Sequence, residues 1–216
     1  MGIVIHKSDS SPSSRAVLMI AEILNLRYET RDVNVLIGDH MKPEYLKKNP
    51  EHTVPLLEDG DFVLADSHAI ITYLVSKYGA DKRAELYPSD LALRGTIDHR
   101  LFFDATVLLP ISERILLGKT NNLNEEEIEE VQDAYGILDK YLQETRFVAC
   151  DYLTLADISC IASVSTMDVL VPVDENFERV FTWITRLKDE DWYQMANIPG
   201  LNQIAEFLKN TMDDSA

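Results

Sequence analysis

Apolar and polar positions divide this chain into two unlike halves. Ile3, Val4 and Ile5 form a short β-branched run, which predicts a buried strand over Gly2–His6. Val17, Leu18, Ile20, Ala21 and Leu24 then recur at helical spacing, behind a Ser11-Pro12 pair that fits N-cap and first helical residue. A strand is predicted over Tyr28–Val35, then a loop with a short helix over Gly38–Lys48. Val54–Glu58 and Phe62–Ala65 flank Asp59-Gly60-Asp61, a hairpin signal. A helix is predicted from Asp66-Ser67 to Tyr78. The order is β-α-β-α-β-β-α, with the last two strands antiparallel across the tight turn.

After residue 80 the strand pattern stops. Gly79–Pro88 reads as a linker, and helical periodicity continues over about 89–118, 124–144, 154–170, 177–189 and 200–212. Two of these helices carry start signals. Asn124 precedes a run of glutamates that complements the helix dipole. Thr154-Leu155-Ala156-Asp157 has the spacing of a capping box, with Leu153 and Ile158 as a hydrophobic staple. The following stretch to Leu170 carries one further charge, Asp168, which predicts a central buried helix. Pro110 falls inside the 89–118 pattern and is expected to kink or break it.

Charge sharpens the division. The 216 residues carry 37 acidic and 20 basic side chains, a formal net charge of −17. Residues 1–80 hold 8 basic and 11 acidic residues, whereas 81–216 hold 12 and 26, so the net charges are −3 and −14. Such acidity, without a Lys/Arg-rich run, argues against nucleic acid and against an anionic membrane surface. Four of the five histidines, His6, His40, His52 and His68, lie in the nearly balanced part, where an anion site is more plausible. Cys150 and Cys160 form no CxxC pair and no metal spacing. The first residues lack the apolar stretch of a signal peptide, and no run approaches the roughly 20 residues of a membrane span. A cytoplasmic setting, with no metal, is the expectation.

Five stretches carry a resemblance. They are Ser11-Pro12-x-x-Arg15-Ala16-Val17, Gly38-Asp39-His40-Met41-Lys42-Pro43-Glu44-Tyr45, Asn49-Pro50-Glu51-His52-Thr53-Val54-Pro55, Asp66-Ser67-His68-Ala69-Ile70, and Leu153-Thr154-Leu155-Ala156-Asp157. In this order and spacing the chain resembles a cytosolic glutathione transferase of the insect delta/epsilon type, epsilon more closely. The resemblance covers nearly the whole chain. It implies an α/β thioredoxin-like glutathione-binding domain over 1–80 and an all-α domain over 88–216 that contributes a hydrophobic acceptor site.

The implied chemistry suits these residue types. Glutathione is the cosubstrate, and its thiol must be a thiolate, although an ordinary thiol has a pKa of about 8.5. By resemblance Ser11 donates a hydrogen bond to that thiolate, helped by the helix N-terminus. Pro55 would be a cis-proline that presents the backbone of Val54 to the cysteinyl residue. Asp66 would bind the γ-glutamyl ammonium and Ser67 its carboxylate. His40 and His52 would face the glycyl end. His68, where delta proteins commonly have arginine, would touch glutathione or lie at a dimer two-fold. Glu51 stands where these classes often carry glutamine.

The acceptor wall is expected from Phe103, Leu108, Leu109, Ile111, Ile115 and Phe207, for a small hydrophobic electrophile. This segment looks about one helical turn shorter than the family pattern. A homodimer is implied, with the His68 helix packing near the partner's Phe103. The other reading is a glutathione-binding carrier of apolar ligands with little catalysis. A thiol-disulfide oxidoreductase would need a cysteine at the start of the first helix, where Ser11 to Ser14 supply none.

Overall fold

The computed structural model describes residues 2–118 and 123–213, the last three by backbone alone. The first part contains β1 (Ile3–Lys7), α1 (Pro12–Ile23), β2 (Tyr28–Asp32), α2 (Pro43–Leu46), β3 (Leu56–Asp59), β4 (Phe62–Ala65) and α3 (Ser67–Tyr78). The sheet order is β2-β1-β3-β4. β1 pairs parallel with β2, and the other two pairs are antiparallel. Gly60, at φ +64°, makes the β3–β4 turn, a backbone region that side chains disfavour. β2 is shorter than its apolar pattern suggests. Val33 still donates to the Lys7 carbonyl at 2.8 Å, but Asn34 then caps a 3₁₀ turn over Val35–Ile37 that leads the chain away.

The second part is helical: α4 (Arg83–Leu86), α5 (Leu91–Phe103), a π turn (Asp104–Leu108), α6 (Leu109–Leu117), α7 (Glu125–Tyr141), α8 (Leu155–Leu170), α9 (Glu178–Lys188), α10 (Asp191–Ala196) and α11 (Ile198–Asp213). The thioredoxin-like sheet and the helical part are thus both present, as the resemblance implied. Two short helices escape the sequence pattern. α4 sits inside the expected linker, and the six residues of α10 are too few to show a period.

Pro110 does not break the helix. Leu109 donates its N–H to the carbonyl of Asp104, five residues back, and this wider turn leads directly into α6. A proline lacks the N–H of the regular ladder and crowds the carbonyl four residues earlier. The π turn just ahead of it accommodates both defects without interrupting the helical run.

α8 is buried from Leu155 to Met167, as its lack of charge predicts. At its start Asp157, fully buried, accepts four hydrogen bonds. Thr154 donates its backbone N–H and its hydroxyl, each at 2.9 Å, to Oδ2. Val148 N–H and Trp183 Nε1 donate to Oδ1 at 2.9 and 3.0 Å. One capping residue therefore also ties the loop before α8 and helix α9.

α1 lies between the two parts and is buried from Pro12 to Ala21. Its Arg15 is fully buried, and burial lowers the guanidinium to about 10. Arg15 donates to the Ala162 carbonyl at 3.2 Å and to the side chains of Thr166, Asn197 and Ser165. A charge-assisted polar knot thus crosses between α1, α8 and the link from α10 to α11. One apolar core continues from Ile5 and Leu57 of the sheet to Trp183 and Ile204 of the helices.

Candidate functional site

Sheet register gathers the site. His6 pairs with Leu56, and Leu56 with Ala65. Neighbouring strands run about 4.8 Å apart. The end of β1 leading to Ser11, the Val54–Pro55 approach to β3, and the exit of β4 into Asp66-Ser67 therefore lie side by side at one end of the sheet. Two helices, α1 and α3, begin there with their N-termini, where unpaired N–H groups and the helix dipole favour anions.

Ser11 is the N-cap of α1, with φ −73° and ψ 121°. Its Oγ accepts the N–H of Ser14 at 3.3 Å. The cap uses the hydroxyl only as an acceptor, so its proton can be donated to a ligand. The Val54–Pro55 bond is cis, and β3 begins at Leu56, which leaves the Val54 backbone just outside the ladder.

The segment before Pro55 is shaped by Asn49, which is 1% exposed. Its Oδ1 accepts the Glu51 N–H at 3.0 Å, and its Nδ2 donates to the Thr53 carbonyl at 2.9 Å. The Tyr45 hydroxyl donates to that carbonyl at 2.6 Å. These bonds hold His52 at φ +48°, a region that costs a non-glycine residue about 1–3 kcal/mol. The exposed His52 ring lies 6.1 Å from that of His40, which sits on the turn before α2.

Asp66, at φ +69°, caps α3 by accepting the Ala69 N–H at 2.9 Å. Ser67 is the first residue of α3 and is buried. The His68 Nε2 lies 3.0 Å from Asp104 Oδ2, and its Nδ1 3.6 Å from Asp66 Oδ1. Burial alone would lower the His68 pKa, but the two carboxylates outweigh it and push it up to about 9. His68 in turn holds the Asp66 carboxyl below its ordinary range. Asp104 opens the π turn and is 3% exposed; the Ser159 hydroxyl of α8 also donates to it.

Neither Asp104 nor Ser159 was singled out by sequence pattern. The available signal was one acid inside the apolar stretch Leu101–Leu109. A folded-state pKa raised from 6.5 to about 9 stabilises fully below 6.5, and the contribution is lost as pH rises through about 9. Wild type is therefore expected to lose stability relative to His68→Gln between pH 6.5 and 9.5. Thermal melting of both proteins across that range checks it, and parallel curves would rule the ion pairs out.

The residues expected for the acceptor wall divide by exposure. Phe103, Leu108, Ile111 and Ile115 are buried in the core, and Phe103 packs edge-on against Tyr141 at 5.3 Å. Of that set only Leu109 and Phe207 keep substantial surface. Phe103 itself is 7% exposed. Its neighbour Phe102 is 68% exposed and borders a groove of about 630 Å³ between α3 and α5, with Ala69, Thr72 and Tyr73. Among the described residues no three His, Cys, Asp or Glu side chains converge as metal ligands. No described helix is long and apolar enough to cross a membrane.

Comparisons with known proteins identify the family. Residues 5–82 match the family model for the glutathione S-transferase N-terminal domain. Glutathione S-transferase 1 of Manduca sexta is 43% identical over 207 residues, covering 93% of this chain and 94% of the relative. An epsilon-class glutathione S-transferase structure from the housefly, Musca domestica, superposes with a TM-score of 0.90 at 36% identity, covering 96% of this chain and 97% of that one. A glutathione transferase homologue from Drosophila mojavensis, solved with bound glutathione, gives 0.89 at 38% identity, with 97% of each chain covered.

Proposed function

Because this chain belongs to the glutathione S-transferase family, we propose that it activates the thiol of glutathione for conjugation to small hydrophobic electrophiles. The observation that supports this reading is the register His6–Leu56–Ala65, which brings the end of β1 that leads to Ser11, the Val54–Pro55 approach to β3 and the exit of β4 towards Asp66 to one end of the sheet. Residues 1–80 then hold glutathione, and 88–216 supply the acceptor side.

Ser11 donates to the thiolate at the N-terminus of α1. The Val54 backbone pairs with the cysteinyl residue in the manner of an added strand. Asp66, kept ionised by His68, takes the γ-glutamyl ammonium, and Ser67, through its hydroxyl and its N–H at the start of α3, takes its carboxylate. His40 and His52 face the glycyl end. Leu109 and Phe207 form the open acceptor wall. With an aryl halide the sulfur forms a bond to the ring carbon, halide departs with the bonding pair, and the thiol proton has already passed to solvent. Holding both partners together contributes proximity and desolvation.

The groove between α3 and α5 fits a second copy of the chain, with Phe102 at the contact, and the cytoplasm is the setting. Assaying glutathione conjugation to an aryl halide tests the enzyme reading directly. Glutathione binding without turnover would favour a carrier of apolar ligands. His52→Ala is expected to raise the glutathione KM roughly fivefold, the worth of about one hydrogen bond, with kcat unchanged. An unaltered KM would remove His52 from the site.

A further inference from the structure

Helix α11 begins against the turn that carries Ser11. A methyl group added at Gly200 would lie 1.9 Å from the Asp9 carbonyl oxygen, 2.8 Å from its carbonyl carbon and 2.6 Å from the Cδ of Arg15. Two of these are backbone atoms, so no side-chain rotation relieves the overlap. Either the turn or the helix must move.

The turn is a stiff piece. Ser11 N–H donates to the Ser8 carbonyl at 3.0 Å, and Ser8 N–H donates to Ser14 Oγ at 3.2 Å. A push at Asp9 therefore reaches Ser11. The helix side is equally fixed. Buried Asn197, just before α11, donates to Ser165 Oγ at 3.0 Å and accepts from Arg15. Gln203 donates to Asp9 Oδ2 at 3.4 Å. Gly95, exposed on α5, has no atom within 4 Å of such a methyl, so close approach is a property of the Gly200 position.

We propose that Gly200 is a positioning residue for catalysis: by letting α11 abut the backbone of the Ser8–Ser11 turn, it sets where the Ser11 hydroxyl points. α11 also carries Phe207. One rigid helix therefore places both the thiolate donor and part of the acceptor wall, and the distance between sulfur and electrophile follows from its seat. This inference rests on the reading of Ser11 as the thiolate's donor.

The experiment titrates the ultraviolet absorbance of enzyme-bound glutathione thiolate against pH, with kcat, glutathione KM and thermal melting measured alongside. In Gly200→Ala the bound thiol pKa is expected to rise by about one unit, kcat near pH 6.5 to fall roughly tenfold, and KM to stay nearly constant. Gly95→Ala should match wild type. Leu201→Ala removes volume from the same buried end of α11 and should shift the titration in the same direction, so it decides the matter if Gly200→Ala does not fold. Folded Gly200→Ala and Leu201→Ala proteins that both titrate as wild type would overturn the proposal. Ser11→Ala separates the two layers. If it raises the thiol pKa and the α11 variants do not, only the role of Gly200 fails. If Ser11→Ala titrates as wild type, both readings fail.

Discussion

Ser11→Ala is expected to cut the conjugation rate near pH 6.5 by roughly 10- to 100-fold, because a hydrogen bond to a charged group is worth about 1.5–3 kcal/mol. The loss acts on the thiolate, the form that reacts. With the hydroxyl gone, the N-terminus of α1 still contributes its dipole, which accounts for residual activity. Since the deficit is in ionisation, raising the pH should recover part of the rate, and the pH–rate profile should shift to the alkaline side. Glutathione affinity should change little, because Asp66, Ser67 and the histidines are untouched. The variant also loses the Ser14 N–H acceptor, at about 1 kcal/mol of stability. Rates over pH 5.5–9 with an aryl halide check this. A rate equal to wild type at low pH, in a folded protein, would exclude Ser11 from thiolate stabilisation.

The second large effect is on stability. Asp157→Ala should destabilise the protein by about 4 kcal/mol, because it leaves the donors of Thr154, Val148 and Trp183 without their acceptor inside a dry core. For a chain of this size that is a drop of roughly 10 °C in melting temperature. Asn124 and Glu127 form a similar box at the start of α7, but on the surface. Asn124→Ala should cost only about 1 kcal/mol. The two variants share a motif and differ in burial, so denaturant unfolding of both separates the cap itself from the buried network. Equal losses would show that Val148 and Trp183 contribute nothing.

That comparison also marks what could be read before the structure. The spacing Thr154-x-x-Asp157 announces a cap, since the partners are three residues apart. It cannot announce Trp183, which arrives from α9. The β-α-β-α-β-β-α order and the Asp-Gly turn were legible because strands and hairpins are local patterns. Arg15 stood in a recognisable stretch, yet its partners Ala162, Ser165, Thr166 and Asn197 lie about 150 to 180 positions away. The same holds for Asp104, which reads as an odd acid until α3 brings His68 to it. Phe103 raises a different point. Apolar spacing finds the buried stripe of a helix, and a ligand-facing wall needs the residues that the stripe leaves half open.

The π turn at Asp104–Leu108 has one further consequence. Such a turn is an α-helix with one residue inserted, and each residue of an α-helix advances the azimuth by about 100° and the axis by 1.5 Å. Deleting a single residue between Asp104 and Leu108 would wind the segment back into regular α-helix. Leu109 would still donate to the Asp104 carbonyl, then four residues back, so every side chain from Leu109 to Leu117 would keep its direction against α8. The wide turn thus stores one extra residue without turning α6 against α8, whereas the same residue taken up by regular α-helix would have rotated Leu109 by about 100°.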